Sequence, residues 1–245
     1  MHSTETIFLK SPDDAKAAAG HILSGNILLL FLGDVYGFAF DPGINGLADK
    51  LNRLKGRAAN QYLSLFCNHE KALLLVDKER VNRDFFTIAG LLSGKAHIRI
   101  PLKENPPFAF PYNEDDRTVQ FISLDATHPM LSALFNELSA HGCPTISGTS
   151  GNLHGQPTCA SLGEAEKLAG ILNVKAKEYG YDDTKIVVAD IPSFHCEIKG
   201  SFPIVSFLNP EAVEILRHIG NDPAATRRFL DKELKGVKME TSIKI

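Results

Sequence analysis

Three segments of the chain bring together residue types suited to holding a charged small molecule. Lys55-Gly56-Arg57 sets two cations one residue apart around a glycine. Both could point at one polyanion such as a triphosphate. The same segment also reads as a helix end whose basic residues meet the negative pole of the helix dipole. Ser147-Gly148-Thr149-Ser150-Gly151-Asn152-Leu153-His154-Gly155 strings small hydroxyl residues and glycines behind a short strand. Such a loop offers backbone N–H groups and hydroxyls to phosphates, and it equally makes an ordinary surface loop. It matches neither a Walker loop, for want of a lysine, nor a GxGxxG turn. Asp34-Val35-Tyr36-Gly37 follows the apolar run Ile27 to Leu32. Ligands of open α/β sheets bind beyond the carboxyl ends of strands, which is where Asp34 and Tyr36 fall. A plain turn is the other reading.

Other chemistries lack their signatures. His195-Cys196 and His141-Gly142-Cys143 do not have metal-ligand spacing. Cys67, Cys143, Cys159 and Cys196 form no CxxC pair, and no GxSxG elbow is present. Arg227-Arg228 with Lys232 and Lys235 reads as a solvated helix face. The 245 residues carry 26 Lys+Arg against 29 Asp+Glu, a net charge of −3. That balance argues against wholesale nucleic-acid binding by excess positive charge and leaves room for a local basic groove. With 44% hydrophobic and 22% charged residues, the composition is globular. The longest apolar run is far too short to span a bilayer, so the expectation is a cytoplasmic protein with reduced thiols and no membrane partner.

The elements that must position these residues follow from caps and periodicity. Ser11-Pro12-Asp13-Asp14 opens a helix that runs to Leu23 and stops at Gly25. Asn26 to Leu32 is a continuous apolar run of strand length. Helices are expected over Leu47 to Leu54, Lys71 to Val76, Phe85 to Leu92, Pro129 to His141 and Glu164 to Tyr179. Strands are expected over Gln61 to Phe66, Ala96 to Pro101, Thr118 to Leu124, Thr145 to Ser147, Ile186 to Asp190 and within Ile198 to Leu208. Leu102 to Asp116, with Pro106, Pro107 and Pro111, reads as a long surface connection. Asp222-Pro223 opens a last helix. The expected organisation is one α/β domain over 7–220 and a C-terminal helical tail over 221–245.

Taken in order, the motifs resemble those of the YrdC/YciO family, the threonylcarbamoyl-adenylate synthases. The family's TETVYGL-like turn reads here as Leu32-Gly33-Asp34-Val35-Tyr36-Gly37-Phe38. Its KxRP segment reads Lys55-Gly56-Arg57-Ala58, and its S/T-S-A-N-x-S-G loop reads Thr149 to Gly155. Its ILRPG-like segment reads Ile215-Leu216-Arg217-His218-Ile219-Gly220. The resemblance covers about residues 7 to 220. It implies a twisted mixed open sheet flanked by helices, with a concave central cavity. It implies that L-threonine, bicarbonate and ATP, with Mg²⁺, yield threonylcarbamoyl-AMP and pyrophosphate. That product serves adenosine-37 modification of tRNA with partner proteins, and members are described as binding double-stranded RNA. Carried over residue by residue, Lys55 and Arg57 become catalytic. Lys55, Arg57, Ser150, Asn152, Ser201 and Arg217 become nucleotide-binding, and Asp34, Tyr36 and His97 form the second-substrate pocket.

The departures have a pattern. The threonines of TET become Leu32 and Asp34, and a family histidine falls at Phe66. The GPxT stretch becomes Gly94-Lys95-Ala96-His97, the VRxP arginine falls near Ser123-Leu124, and the prolines of KxRPxxxP fall at Ala58 and Tyr62. Residues resembling the nucleotide site persist while those of the amino-acid site differ, and loss of polar partners from a small pocket changes specificity strongly. Two expectations follow: an adenylate-forming enzyme acting on threonine or on another amine or acid, or a non-catalytic nucleotide- or RNA-binding protein of the same fold.

Overall fold

The computed structural model describes residues 4–58, 61, 63–107, 110, 112–125, 127–192, 194–196, 198 and 200–244. In chain order the first half comprises β1 (Thr6–Phe8), α1 (Pro12–Leu23), β2 (Ile27–Phe31), β3 (Tyr36–Phe40), α2 (Leu47–Lys55), β4 (Ser64–Cys67), α3 (His69–Leu73), α4 (Phe85–Leu91), β5 (His97–Pro101) and β6 (Thr118–Ser123). The second half comprises α5 (Pro129–Ala140), β7 (Ile146–Ser150), α6 (Leu162–Glu178), β8 (Ile186–Asp190), β9 (Ile204–Ser206), β10 (Ala212–Arg217), α7 (Pro223–Glu233) and β11 (Ser242–Lys244).

Local signals explain several boundaries. At the start of α1 the Ser11 hydroxyl accepts from the Asp14 N–H while the Asp14 carboxylate accepts from the Ser11 N–H, a complete capping box. Ser161 and Glu164 repeat the device at α6. Among the described residues eleven strands join one mixed sheet in the order β1-β8-β2-β3-β7-β4-β6-β5-β9-β10-β11. Its twisted, open form is flanked by helices on both faces. The apolar run of β2 is continuous because both of its faces are covered. Leu28 and Leu30 enter a core with α1 and α5, while Ile27 and Leu29 enter a second core with α2 and α6. A third core gathers β5, α3, α4 and α7.

The structure differs from the sequence reading at the strands that carry the site. The turn expected at Asp34 to Gly37 ends early, because Tyr36 already begins β3, antiparallel to β2. Gly33 makes the reversal at φ +98°, with the Leu32 N–H bonded to the Val35 carbonyl. The segment expected as a loop from Ser147 is strand as far as Ser150, because β7 pairs with β3 on one side and β4 on the other. The strand expected from Gln61 starts at Ser64, with Tyr62 outside the described residues, as are Phe108, Ala109 and Pro111 of the long connection. Residues 221–244 carry more than a helix. Leu230 of α7 and Leu234 just after it are buried in the third core, and β11 pairs parallel with β10. The Asp84 carboxylate, accepting from the Glu240 and Thr241 N–H groups, anchors that strand. Among the described residues no helix is long and apolar enough to cross a membrane.

Gly148 lies at the middle of β7, opposite Ala39 of β3 and Ser64 of β4. A Cβ there would meet the Phe66 ring at 2.4 Å and the Phe38 carbonyl oxygen at 2.6 Å. Neither a packed ring nor a strand carbonyl can yield cheaply, so Gly148→Ala is expected to destabilise the protein by about 1–3 kcal/mol. Denaturant melts of the two proteins check this; equal midpoints would show that the close approach carries no cost.

Candidate functional site

The ends of β3, β7, β4, β5 and β10 converge on one cleft of about 230 Å³. Its polar lining includes Arg57, Gln61, Ser64, His97, Gln120, Thr149, Ser150, Thr158, Ser201, Arg217 and the Tyr36 side chain, and its apolar lining includes Leu32, Val35, Phe66 and Phe202. No carboxylate is among the described lining residues. The cleft therefore presents two guanidinium groups and several hydroxyls with no acid to neutralise them, which suits an anion.

Each cation is held by neutral oxygen. Arg57 Nη1 donates to Thr149 Oγ1 at 2.9 Å, and its buried Nε has no hydrogen-bond partner. Arg217 Nε and Nη2 donate to the Phe202 carbonyl at 2.9 and 2.7 Å. The register of β10 against β9 shifts between Ile215 and Arg217, so the strand end is re-aimed at the point where Arg217 leaves it. Burial lowers the pKa of both arginines, yet guanidinium stays charged at any physiological pH. Burial, with Arg217 nearby, pushes His97 down to about 3. The imidazole in the cleft wall is therefore neutral, and its Nδ1 has no partner.

No family model matches the chain, and no curated protein matches it. Solved structures do. Over 98% of the chain it superimposes on a double-alanine variant of P. abyssi Sua5, with a TM-score of 0.69 and 18% identity. P. abyssi Sua5 complexed with L-threonine gives a TM-score of 0.66 at 16% identity, and the chain spans 65% and 62% of these two Sua5 chains. E. coli YciO matches at a TM-score of 0.60 and 12% identity over 91% of this chain and 97% of its own. The fold is YrdC-like. Full-length HypF in its phosphate- and nucleotide-bound form matches through 28% of its length, with a TM-score of 0.61 and 20% identity over 83% of this chain.

Within the YrdC-like fold, Tyr36, Arg57, His97, Ser150, Ser201 and Arg217 line the cleft together, whereas Asp34, Lys55 and Asn152 do not. The Asp34 carboxylate instead accepts from the Gly200 N–H at 2.5 Å. Tyr36 donates its hydroxyl to Asp190 at 2.6 Å, and burial with that carboxylate raises its pKa. The two cations of Lys55-Gly56-Arg57 part company. Gly56 ends α2 in the left-handed region at φ +76°, so Lys55 stays on the inner face of the helix while Arg57 emerges into the cleft. Lys55 is 1% exposed. Its amine donates to the Ser150 carbonyl and, at 3.1 Å, to Asn152 Oδ1, and lies 4.8 Å from the centre of the Phe38 ring. Gln61, Ser64, Gln120, Thr158 and Phe202 escaped the sequence reading. Gln120 alone left a signal, as the lone long polar residue in the strand run Thr118 to Ser123. A Mg²⁺ site is a poor fit to these residues. Among the described residues the cleft lining has no carboxylate, and no three His, Cys, Asp or Glu side chains gather to hold a metal.

Burial, reinforced by the Arg57 charge, pushes the Lys55 amine down to about 6 from its ordinary 10.5. Cys159 nearby opposes that shift without removing it. Between those two values the unfolded chain holds one more proton at this residue than the folded chain, so its contribution to stability rises with pH. Wild type is expected to gain on Lys55→Met by up to about 1.4 kcal/mol per pH unit between pH 7 and 9.5. Denaturant melts across that range decide it; parallel curves would place the Lys55 pKa near its ordinary value.

Proposed function

We propose that the chain is an ATP-dependent adenylate-forming enzyme that resembles a threonylcarbamoyl-adenylate synthase. The observation that carries this reading is the pair Arg57 and Arg217 in one cleft that lacks any carboxylate among its described lining residues. A polyphosphate meets that charge, and the hydroxyls of Thr149, Ser150, Thr158 and Ser201 supply further donors. The likeness of fold to Sua5 and YciO supports the reaction class.

In this reading a carbamate, made from an amine and bicarbonate with loss of water, presents an oxygen to the α-phosphorus of ATP. The new P–O bond forms as the bond to the β-phosphate oxygen breaks, and pyrophosphate leaves with the electron pair. No side chain acts as nucleophile, so positioning and charge neutralisation are the whole task. Arg57 and Arg217 meet the negative charge. Ser150 and Ser201 lie within reach of the nucleotide, while Lys55 and Asn152 position the end of β7 from behind. Threonine is the amine that the resemblance implies, with the product consumed in adenosine-37 modification of tRNA by partner proteins in the cytoplasm. A second reading, a nucleotide- or double-stranded-RNA-binding protein without catalysis, is favoured by one observation: the Lys55 amine is turned away from the cleft.

Both readings are tested by one experiment. The protein is incubated with magnesium ATP, bicarbonate and a panel of amino acids, and pyrophosphate release is followed. Release with at least one amino acid is expected. ATP binding without release from any member of the panel would favour the second reading. Arg57→Gln and Arg217→Gln are each expected to weaken ATP binding by about 1.5–3 kcal/mol, the scale of a lost charge-assisted hydrogen bond. Calorimetric titration measures this, and unchanged affinity would remove that arginine from the site.

A further inference from the structure

The cleft has a continuous apolar wall beside one of its cations. The Phe66 and His97 rings lie 6.5 Å apart between centroids, and the His97 and Phe202 rings 6.2 Å apart, so three rings run in series. Leu32 belongs to the same core as Phe66 and Phe202 and packs over Gly37, where a Cβ would stand 2.8 Å from its Cδ1. The carbonyl of Phe202 holds Arg217. The cation and the apolar wall are thereby joined through one residue. The His97 ring carries no charge at neutral pH.

Most polar side chains that would receive a substrate hydroxyl near this wall are already engaged, and the unpartnered Nδ1 of His97 is itself buried. Tyr36 is bonded to Asp190 and Asp34 to Gly200, while Gln120 donates to Ser64 at 2.6 Å. Ser201 is the hydroxyl that remains next to Phe202 along the chain. Burying a hydroxyl against Leu32 and two phenyl rings leaves it unpaired, whereas an aliphatic or aromatic group gains by the same contact. Leu32 also lines a second, mainly apolar cavity of about 420 Å³ with Leu124, Phe194 and Phe229.

We propose that the second ligand of the cleft is a carboxylate with an aliphatic or aromatic body, its carboxylate beside the polyphosphate on the shared Arg217 and its body against Leu32, Phe66, Phe202 and the His97 ring. As the co-substrate of adenylation this rests on the function proposed above, but the preference itself is read by binding alone. The full chain is titrated with L-leucine, L-phenylalanine and L-threonine, with and without a non-hydrolysable ATP analogue. Leucine or phenylalanine is expected to bind about tenfold or more tightly than threonine, the ratio set by one unpaired buried hydroxyl. In Leu32→Thr the ratio is expected to fall toward one. Threonine binding as tightly as the apolar pair, which would assign its hydroxyl to Ser201, overturns the proposal, as does binding of none of the three. The wild-type ranking stands even if Leu32→Thr fails to fold. Pyrophosphate release with ATP and bicarbonate is scored separately. Apolar preference without release upholds the assignment of the wall and defeats the adenylation reading alone.

Discussion

A buried amine ties helix to strand at the centre of this molecule. Lys55, in the last turn of α2, reaches the Ser150 carbonyl and the Asn152 amide at the end of β7. β7 in turn carries β3 on one edge and β4 on the other. An amine removed from water must find oxygen partners, and here it finds them on the strand that forms the cleft wall. Once α2 is docked this way, the left-handed turn at Gly56 directs Arg57 outward. Arg57 then meets Thr149, one residue before the carbonyl that Lys55 holds. The inward amine and the outward guanidinium are two consequences of one docking.

The electrostatics of the cleft follow from what holds its cations. Arg57 is held by a hydroxyl and Arg217 by a carbonyl, both neutral. A guanidinium paired with a carboxylate would have little charge left for a ligand. These two retain theirs, in partly buried surroundings where solvent screening is weak. The nearby carboxylates are engaged elsewhere: Asp190 by the Tyr36 hydroxyl and Asp34 by the Gly200 N–H. The glycine at 148 completes the arrangement by leaving room for the Phe66 ring behind β7. Polar and apolar walls thus come from the same few strands.

Much of the fold was legible in local signals. Ser11-Pro12 marks α1, the run Ile27 to Phe31 marks a strand covered on both faces, and Asp222-Pro223 marks α7. The strands β1, β3, β10 and β11 went unread because their evidence is not local. β1 and β11 are three-residue edges defined by parallel partners, and β3 and β10 follow turns whose residues carry the stronger signal. The hydroxyl- and glycine-rich stretch from Ser147 looks like a loop on composition, yet pairing on both sides makes its first part the middle of a sheet. Of the site, the residue types were readable and their directions were not.

The chain alone determined the inventory: caps and apolar runs that make an α/β molecule, cations at 55, 57 and 217, and no spacing suited to a metal cluster or a hydrolase elbow. These are matters of neighbouring residues, where backbone preference and side-chain chemistry act over a few positions. Only the tertiary structure decided that Lys55 turns inward, that Asp34 is engaged by a backbone N–H, and that Arg217 meets Arg57 in one cleft. Those outcomes depend on a left-handed glycine, a register shift in β10 and pairings between strands far apart in sequence. Burial then sets the charge each group can carry, and burial is a property of the assembled fold.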